Sequence, residues 1–401
     1  MTMKFLTILV TLVALAAFAA LAAGCDTRSL SPKVSTGTGN TGGSIGPGGA
    51  DGGGTFVPTR KLDMLFVIDD SSEVRLPQDN LIRNFPSFLT RLMDPPGLPD
   101  LHIAVISTDM GAGDGSIASC DATGGKNGIF QHTARGTCTS TGLDPGATYI
   151  ADDGTIRNYT GNLADVFACV AALGEQGCGF EHQLAAITRA LGADGNPPPI
   201  ENQGFLREDA YLVIVMLTNE DDCSAPAGSS FYDTKSNTDL SSPLGPLTNF
   251  RCNEFGHLCN GVTPPRRAPN GNVNDTVTLD GCVPAEGAGM LVPVVDFVAQ
   301  LRSVKRFPDQ QIVVSAITGP TTPYTVMWRN SPVTAMGPWP VMSHSCISAA
   351  DGTFADPAVR ITEFVRAFGA NGTLLSICDT NYGPVLDRIA SLLSPSAMPT
   401  P

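Results

Sequence analysis

Charge is scarce in this chain of 401 residues: 15% of its side chains are Asp, Glu, Lys or Arg, against about 25% in an average soluble domain. That shortage excludes a coiled coil, a charge-rich disordered chain and a helical repeat array. Positive charge is scarcer still. Lys and Arg number 24 against 38 Asp and Glu, a formal net charge of −14, so no basic footprint for a phosphate backbone exists and no nucleic acid partner is expected. With 5 His and 2 Trp the chain carries little imidazole for catalysis. No G-x-S-x-G elbow, H-E-x-x-H pair or P-loop occurs, which removes the common nucleophile, zinc and nucleotide signatures. No two Cys stand in a C-x-x-C spacing, an argument against structural zinc. An enzyme is not expected.

What the chain does have is 43 Gly, 31 Pro and 11 Cys, the mark of a loop-heavy protein. Its length is about twice what one compact α/β domain needs, so one large decorated domain or two ordinary ones would fit. The N-terminus reads as Lys4, an apolar run from Phe5 to Ala23, then Gly24-Cys25-Asp26. These are the parts of an export signal over residues 1–24. The run is nearly long enough to span a bilayer, but Leu21-Ala22-Ala23-Gly24-Cys25 resembles the lipobox of bacterial lipoproteins, with Ala22 where Leu is more frequent. The resemblance implies acylation of Cys25, palmitate included, and anchoring to a bacterial membrane without a spanning helix. Asp26 fits the inner-membrane retention pattern of enterobacteria; other bacteria sort differently, and the leaflet stays open between periplasmic and cell-surface faces. Residues 25–60 read as the lipidated Cys and a flexible Gly-rich tether. A formal G-x-G-x-x-G there (Gly37 to Gly42) has no strand before it and no helix after it, so it is no dinucleotide site.

Ten Cys remain: Cys120, Cys138, Cys169, Cys178, Cys223, Cys252, Cys259, Cys282, Cys346 and Cys378. An even number in an exported chain argues for five disulfides. Connectivity does not follow from sequence. Local closure favours Cys120 with Cys138, Cys169 with Cys178, and Cys346 with Cys378, the other four stapling the segment from Cys223 to Cys282.

Five apolar runs rich in β-branched residues do not alternate: Met64–Ile68, His102–Ser107, Tyr211–Leu217, Gln311–Ile317 and Thr373–Ile377. Strands buried on both faces read this way, which points to a mostly parallel sheet. Helical periods lie between them. Leu81, Phe85, Phe88, Leu89 and Leu92 form one stripe, with Pro86 inside it. Leu184, Ile187 and Leu191 form a second. Asp356-Pro357 reads as an N-cap and first-turn proline for a third, lined by Ile361, Phe364, Val365 and Phe368 and ended by Gly369. Two more fall near Met290–Val304 and Pro384–Leu393. The fold class is therefore α/β: a doubly wound, mostly parallel, Rossmann-like sheet with helices on both faces over residues 61–395. Long disulfide-stapled insertions near 111–161, 224–287 and 319–355 decorate it, none with an apolar core of its own. Sites in such sheets form at the carboxyl ends of the strands.

The first strand ends Asp69-Asp70-Ser71-Ser72-Glu73, and with this element order the chain resembles a von Willebrand factor type A domain, whose first strand ends in D-x-S-x-S. The segment Leu217-Thr218-Asn219-Glu220-Asp221-Asp222-Cys223 is similar to the one after the fourth strand of such domains. Gly177-Cys178-Gly179-Phe180-Glu181 and Ile317-Thr318-Gly319-Pro320 are similar to stretches of Cys-rich, lipid-anchored A-domain proteins of myxobacteria and their relatives. The resemblance implies an interaction module in which D-x-S-x-S, a loop Thr and a later Asp bind Mg²⁺, Ca²⁺ or a similar cation, which bridges to a ligand carboxylate. Asp69 and Ser71 match. Glu73 stands where the second Ser belongs, the Thr position falls near Cys178, and the later Asp is Asn219. The candidate cation ligands are thus Asp69, Ser71, Glu73, Asn219, Asp221 and Asp222, with Asp70, Asp109 and Glu220 in the same acidic cluster.

An acidic rim in water, with some Asp capping helix starts, is the competing account of that cluster. Glu181-His182 reads as exposed at a helix start, and His257 as a loop side chain. The expected function is that of a cell-envelope lipoprotein that binds a protein or surface glycan. A structural envelope spacer without a ligand and a metal-dependent hydrolase using the acidic cluster are the alternatives.

Overall fold

The computed structural model describes Phe56 and residues 59–392, apart from 94–96, 122–123, 236–238, 288 and 332–336. The expected signal sequence, Cys25 and nearly all of the tether lie outside the described residues. In chain order the elements are β1 (Lys61–Ile68), α1 (Arg75–Leu92), β2 (Asp100–Ser107), β3 (Ile150–Asp152), α2 (Leu163–Ala171), α3 (Gln183–Ala190) and β4 (Tyr211–Leu217). There follow α4 (Phe250–Gly256), β5 (His257–Cys259), β6 (Thr276–Leu279), β7 (Cys282–Pro284), α5 (Val294–Ser303), α6 (Pro308–Gln311) and β8 (Ile312–Thr318). The chain continues through β9 (Tyr324–Arg329), β10 (Trp339–Ser343), β11 (Cys346–Ile347), β12 (Phe354–Ala355), α7 (Val359–Arg366), β13 (Gly372–Ser376) and α8 (Gly383–Leu392).

Six strands form the central sheet in the order β13-β8-β4-β1-β2-β3. All neighbours run parallel except β3, which pairs antiparallel to the β2 edge. The absence of alternation in the apolar runs has a direct cause. Met64 and Phe66 of β1 face one apolar layer and Leu65 and Val67 the other, so every position meets a core. On the first face, Phe85 of α1 stacks on Phe167 of α2 with ring centroids 3.7 Å apart, beside Phe66. Leu184, Ile187, Phe297, Leu301, Ile361 and Phe364 from α3, α5 and α7 cover the second.

Three expectations change. Cys120 bonds Cys178 and Cys138 bonds Cys169, in place of the two local closures. Tertiary packing decides this, because Cys120 and Cys178 share one apolar cluster with Ala112 and Phe180 while Cys169 lies on α2. Cys346–Cys378 forms as expected, and Cys223–Cys252 with Cys259–Cys282 staple the segment proposed for them. Second, α7 begins at Val359, and Asp356 does not cap it. Third, the insertions carry small apolar clusters: β6, β9 and β10 form an antiparallel sheet packed around Tyr324, Val326 and Trp328. Five disulfides mark a chain exported from the reducing cytoplasm. Among the described residues no helix is long and apolar enough to cross a membrane.

Candidate functional site

The connection reverses direction between β1 and β4, which are neighbours flanked by β2 and β8. In open α/β sheets the carboxyl ends of the two strands at such a reversal leave a crevice. Asp69 and Ser71 follow β1 directly, Ser107, Thr108 and Asp109 end β2, and Thr218 to Asp222 follow β4. The loop before α3 adds Gly177 and Glu181. Local sequence brings these backbones close: Gly177 donates its N–H to the Asp70 carbonyl at 2.6 Å, and a Cβ on Gly177 would fall 2.3 Å from Asp70 Oδ1. Only glycine fits there. Gln78 of α1 ties the same loop to β1, donating Nε2 to the Asp69 carbonyl at 2.8 Å and to the Gly174 carbonyl at 2.9 Å.

Asp69 is 1% exposed. Its Oδ1 accepts the Ser71 N–H at 2.9 Å and its Oδ2 the Thr218 hydroxyl at 2.9 Å. Burial outweighs these bonds and pushes its carboxyl up to about 6. Glu181 and His182 are buried, not exposed as expected. Burial, then the charges of Asp69 and Glu220, drive Glu181 well above the usual carboxylate range. Thr108 donates its hydroxyl to Glu181 Oε2, while Glu181 Oε1 and Asn219 Oδ1 are buried with no hydrogen-bond partner. Glu220 is only partly buried, accepts Asn249 Nδ2 on both oxygens at 2.8 and 2.9 Å, and is also raised, by burial and then by Asp356 and Asp69. Lys126, from the insertion after β2, pairs with Asp70 and stands 3.9 Å from Asp109.

The six residues expected at a cation divide. Asp69 and Ser71 follow β1 and Asn219 follows the neighbouring β4, so the three lie at one edge of the sheet. Glu73 is exposed and holds a left-handed φ of 72°, unusual outside glycine. Asp221 and Asp222 are taken up elsewhere. Asp221 accepts from His257 Nε2 and the Arg360 N–H on Oδ2, and from the Asp222 and Ile361 N–H groups on Oδ1. Burial raises its carboxyl, but the His257 contact and the α7 N–H groups overcome this and leave it below the usual range. Asp221 is therefore the cap of α7 that Asp356 was expected to be, and His257 is a buried strut that also meets the Tyr324 hydroxyl at 2.8 Å. Asp222 holds the buried Arg360 guanidinium at 2.9 and 3.1 Å and caps α3 through the Leu184 N–H at 3.0 Å. Both carboxylates fasten helices to the sheet, and neither is free for a metal.

Among the described residues no three His, Cys, Asp or Glu side chains form a metal-holding group. The oxygens at this edge are mixed, however: carboxylate from Asp69, hydroxyl from Ser71 and amide from Asn219. Hard divalent cations accept such sets, and the unpartnered buried Asn219 Oδ1 is the observation that fits one. Beside the edge runs a groove of about 740 Å³ between α3, α5 and the two insertions, lined by His182, Arg189, Tyr232 and Phe297 among others. His182 donates to or accepts from the Tyr232 hydroxyl at 3.0 Å, and burial holds its imidazole below the usual range. Sequence reasoning missed Glu181, Thr218 and Lys126. Glu181 lies just before α3, which begins at Gln183, so no helical phase marks it in the sequence.

No protein-family model matches the chain, and no curated protein matches it significantly. Among solved structures, the pilus adhesin SpaC from Lactobacillus rhamnosus GG, in its open conformation, shares 11% identity and gives a TM-score of 0.33. The alignment covers 84% of this chain and 30% of that one, so the chain spans less than a third of the adhesin's length. At that score the likeness carries no argument.

Proposed function

We propose that this chain is a lipid-anchored envelope protein, non-enzymatic, whose A-type domain binds a protein or surface glycan through the carboxyl edge of its sheet, with a divalent cation held by Asp69, Ser71 and Asn219. The observation that carries the reading is the strand reversal between β1 and β4, which gathers buried polar groups with unmet hydrogen-bond capacity at one edge. The Asp69-x-Ser71 sequence at the end of the first strand supports the A-type assignment, and so does the doubly wound strand order. The adjoining groove has the size of a ligand crevice, about 300–1,000 Å³ in typical proteins. Disulfide-stapled insertions that border it give a partner a rigid rim at little ordering cost.

The test is binding of the purified full-length protein to isolated envelope fractions and to a glycan array, with wild type beside Ser71→Ala and Lys126→Ala. The reading expects saturable binding that both substitutions weaken while the melting midpoint stays within a few degrees of wild type. Binding that is absent, or indifferent to both substitutions, overturns it in favour of a spacer.

A further inference from the structure

The sheet terminates at β13, which pairs with β8. Beside the carboxyl ends of these two strands lies a pocket of about 230 Å³, separate from the edge at β1 and β4: Asp69, Ser71 and Asn219 do not line it. Thr318 and Ser376, the last residues of β8 and β13, line it together with Pro320, Thr362, Arg366 and Leu374. We propose that this pocket binds a small carboxylate carried on a short apolar body, with Arg366 as its counter-charge and the Thr318 hydroxyl as a hydrogen-bond donor to it.

Three observations carry it. Arg366 is the one charged residue that lines the pocket, in a chain whose net charge is −14. A lining with a cation and no carboxylate sets the sign of the guest. Among the described residues the Arg366 guanidinium has no ion-pair or hydrogen-bond partner, whereas Arg302 of α5 is paired with Asp309. The free fork of N–H groups matches a planar carboxylate. Next, Thr318 is 2% exposed and its Oγ1 is buried with no hydrogen-bond partner, a costly arrangement for a hydroxyl with a proton to donate. Thr362, one turn before Arg366 on α7, brings a second hydroxyl to the same helix face. Finally, the remaining walls are apolar. Pro320, Leu374 and Leu375 supply them, and Leu374 is 39% exposed. The volume falls below the range of about 300–1,000 Å³ for drug-sized ligands, so the guest has few heavy atoms. One cation beside hydrocarbon suits a monovalent carboxylate with a short apolar stem better than phosphate, which carries nearly two charges and no apolar surface.

Ligand-observed NMR titration of the full-length protein at low salt tests this with butyrate, N-acetyl-leucine, inorganic phosphate and, as an uncharged control, N-acetyl-leucinamide. Both carboxylates are expected to bind in about the millimolar range, and more tightly than phosphate or the amide. Tighter binding of N-acetyl-leucine assigns the pocket to a polypeptide's terminal carboxylate, and butyrate binding as tightly or more so assigns it to a free organic acid. Arg366→Ala should weaken either carboxylate about tenfold or more, and Thr318→Val about fivefold. Arg329→Ala, at an exposed arginine on β9, should leave the affinity unchanged. Because Thr318 Oγ1 has no protein partner, Thr318→Val should keep the wild-type melting midpoint in carboxylate-free buffer and lose the rise that butyrate gives the wild type. Wild-type affinity in either Arg366→Ala or Thr318→Val overturns the proposal. So does an equal loss in Arg329→Ala, which would mark general attraction to surface arginines, and so does binding of the amide or phosphate as tight as that of the carboxylates, or no binding at all.

Discussion

Replacing Asp222 by Ala separates a strut from a ligand. Asp222 is 1% exposed and accepts two bonds from Arg360, which is itself 1% exposed. Deleting the carboxylate leaves a guanidinium buried without its counter-charge, a loss that costs about 3–5 kcal/mol. The Leu184 N–H at the start of α3 loses its cap as well, worth about 1 kcal/mol. The melting midpoint should therefore fall by roughly 10 °C or more, measured by thermal or urea unfolding with disulfides intact and chelator present. Pairing Asp222→Leu with Arg360→Met should recover most of the loss, because removing both partners strands no charge. Ca²⁺ affinity should survive wherever the fold does. If Asp222→Ala unfolds within about 1 kcal/mol of wild type and yet abolishes Ca²⁺ binding, Asp222 is a ligand and the division of the acidic residues argued above is wrong.

Phe85→Ala, which empties the ring stacked on Phe167, should cost about 3–5 kcal/mol in urea unfolding; a cost below about 1 kcal/mol would contradict that packing. Replacing Cys120 and Cys178 together by Ser opens a bridge across 58 residues and should lower stability by about 4 kcal/mol in the chain-entropy picture. Peptide mapping without reduction should recover Cys120 with Cys178 and Cys138 with Cys169, and a Cys120–Cys138 peptide would refute the pairing. Asp69 titrates near 6 when folded and near 3.8 when unfolded, so the folded state holds its proton more tightly. With chelator present, this group's contribution is fully present below about pH 4 and is lost as pH rises through 6, a change of up to about 3 kcal/mol. Asp69→Asn should flatten that slope, and an unchanged slope would count against the raised carboxyl.

Much of the sheet was legible because its strands are buried on both faces. Tyr211–Leu217 is recovered to the residue, since each of its seven side chains meets an apolar layer. The edge strand β3 was not legible, being three residues long and half-exposed at its centre. The start of α7 was misplaced for a related reason. Asp356-Pro357 has the local form of a cap, but the N–H groups of Arg360 and Ile361 are met by Asp221, more than a hundred residues away in sequence. The acidic run after β4 shows the same limit at the site. Five consecutive polar residues look alike in sequence, while contacts with His257 and Arg360 commit two of them to structure and Asn219 is left with a buried, unpartnered Oδ1. Glu181 read as a solvated helix start because nothing local reveals that the insertions bury it.

Anomalous scattering from Mn²⁺-soaked crystals of the protein is the most direct measurement of the central claim. The account predicts a peak within about 2.0–2.6 Å of an oxygen of Asp69, Ser71 or Asn219. Peaks confined to exposed carboxylates such as Asp114, or no peak at the ends of β1 and β4, would contradict it.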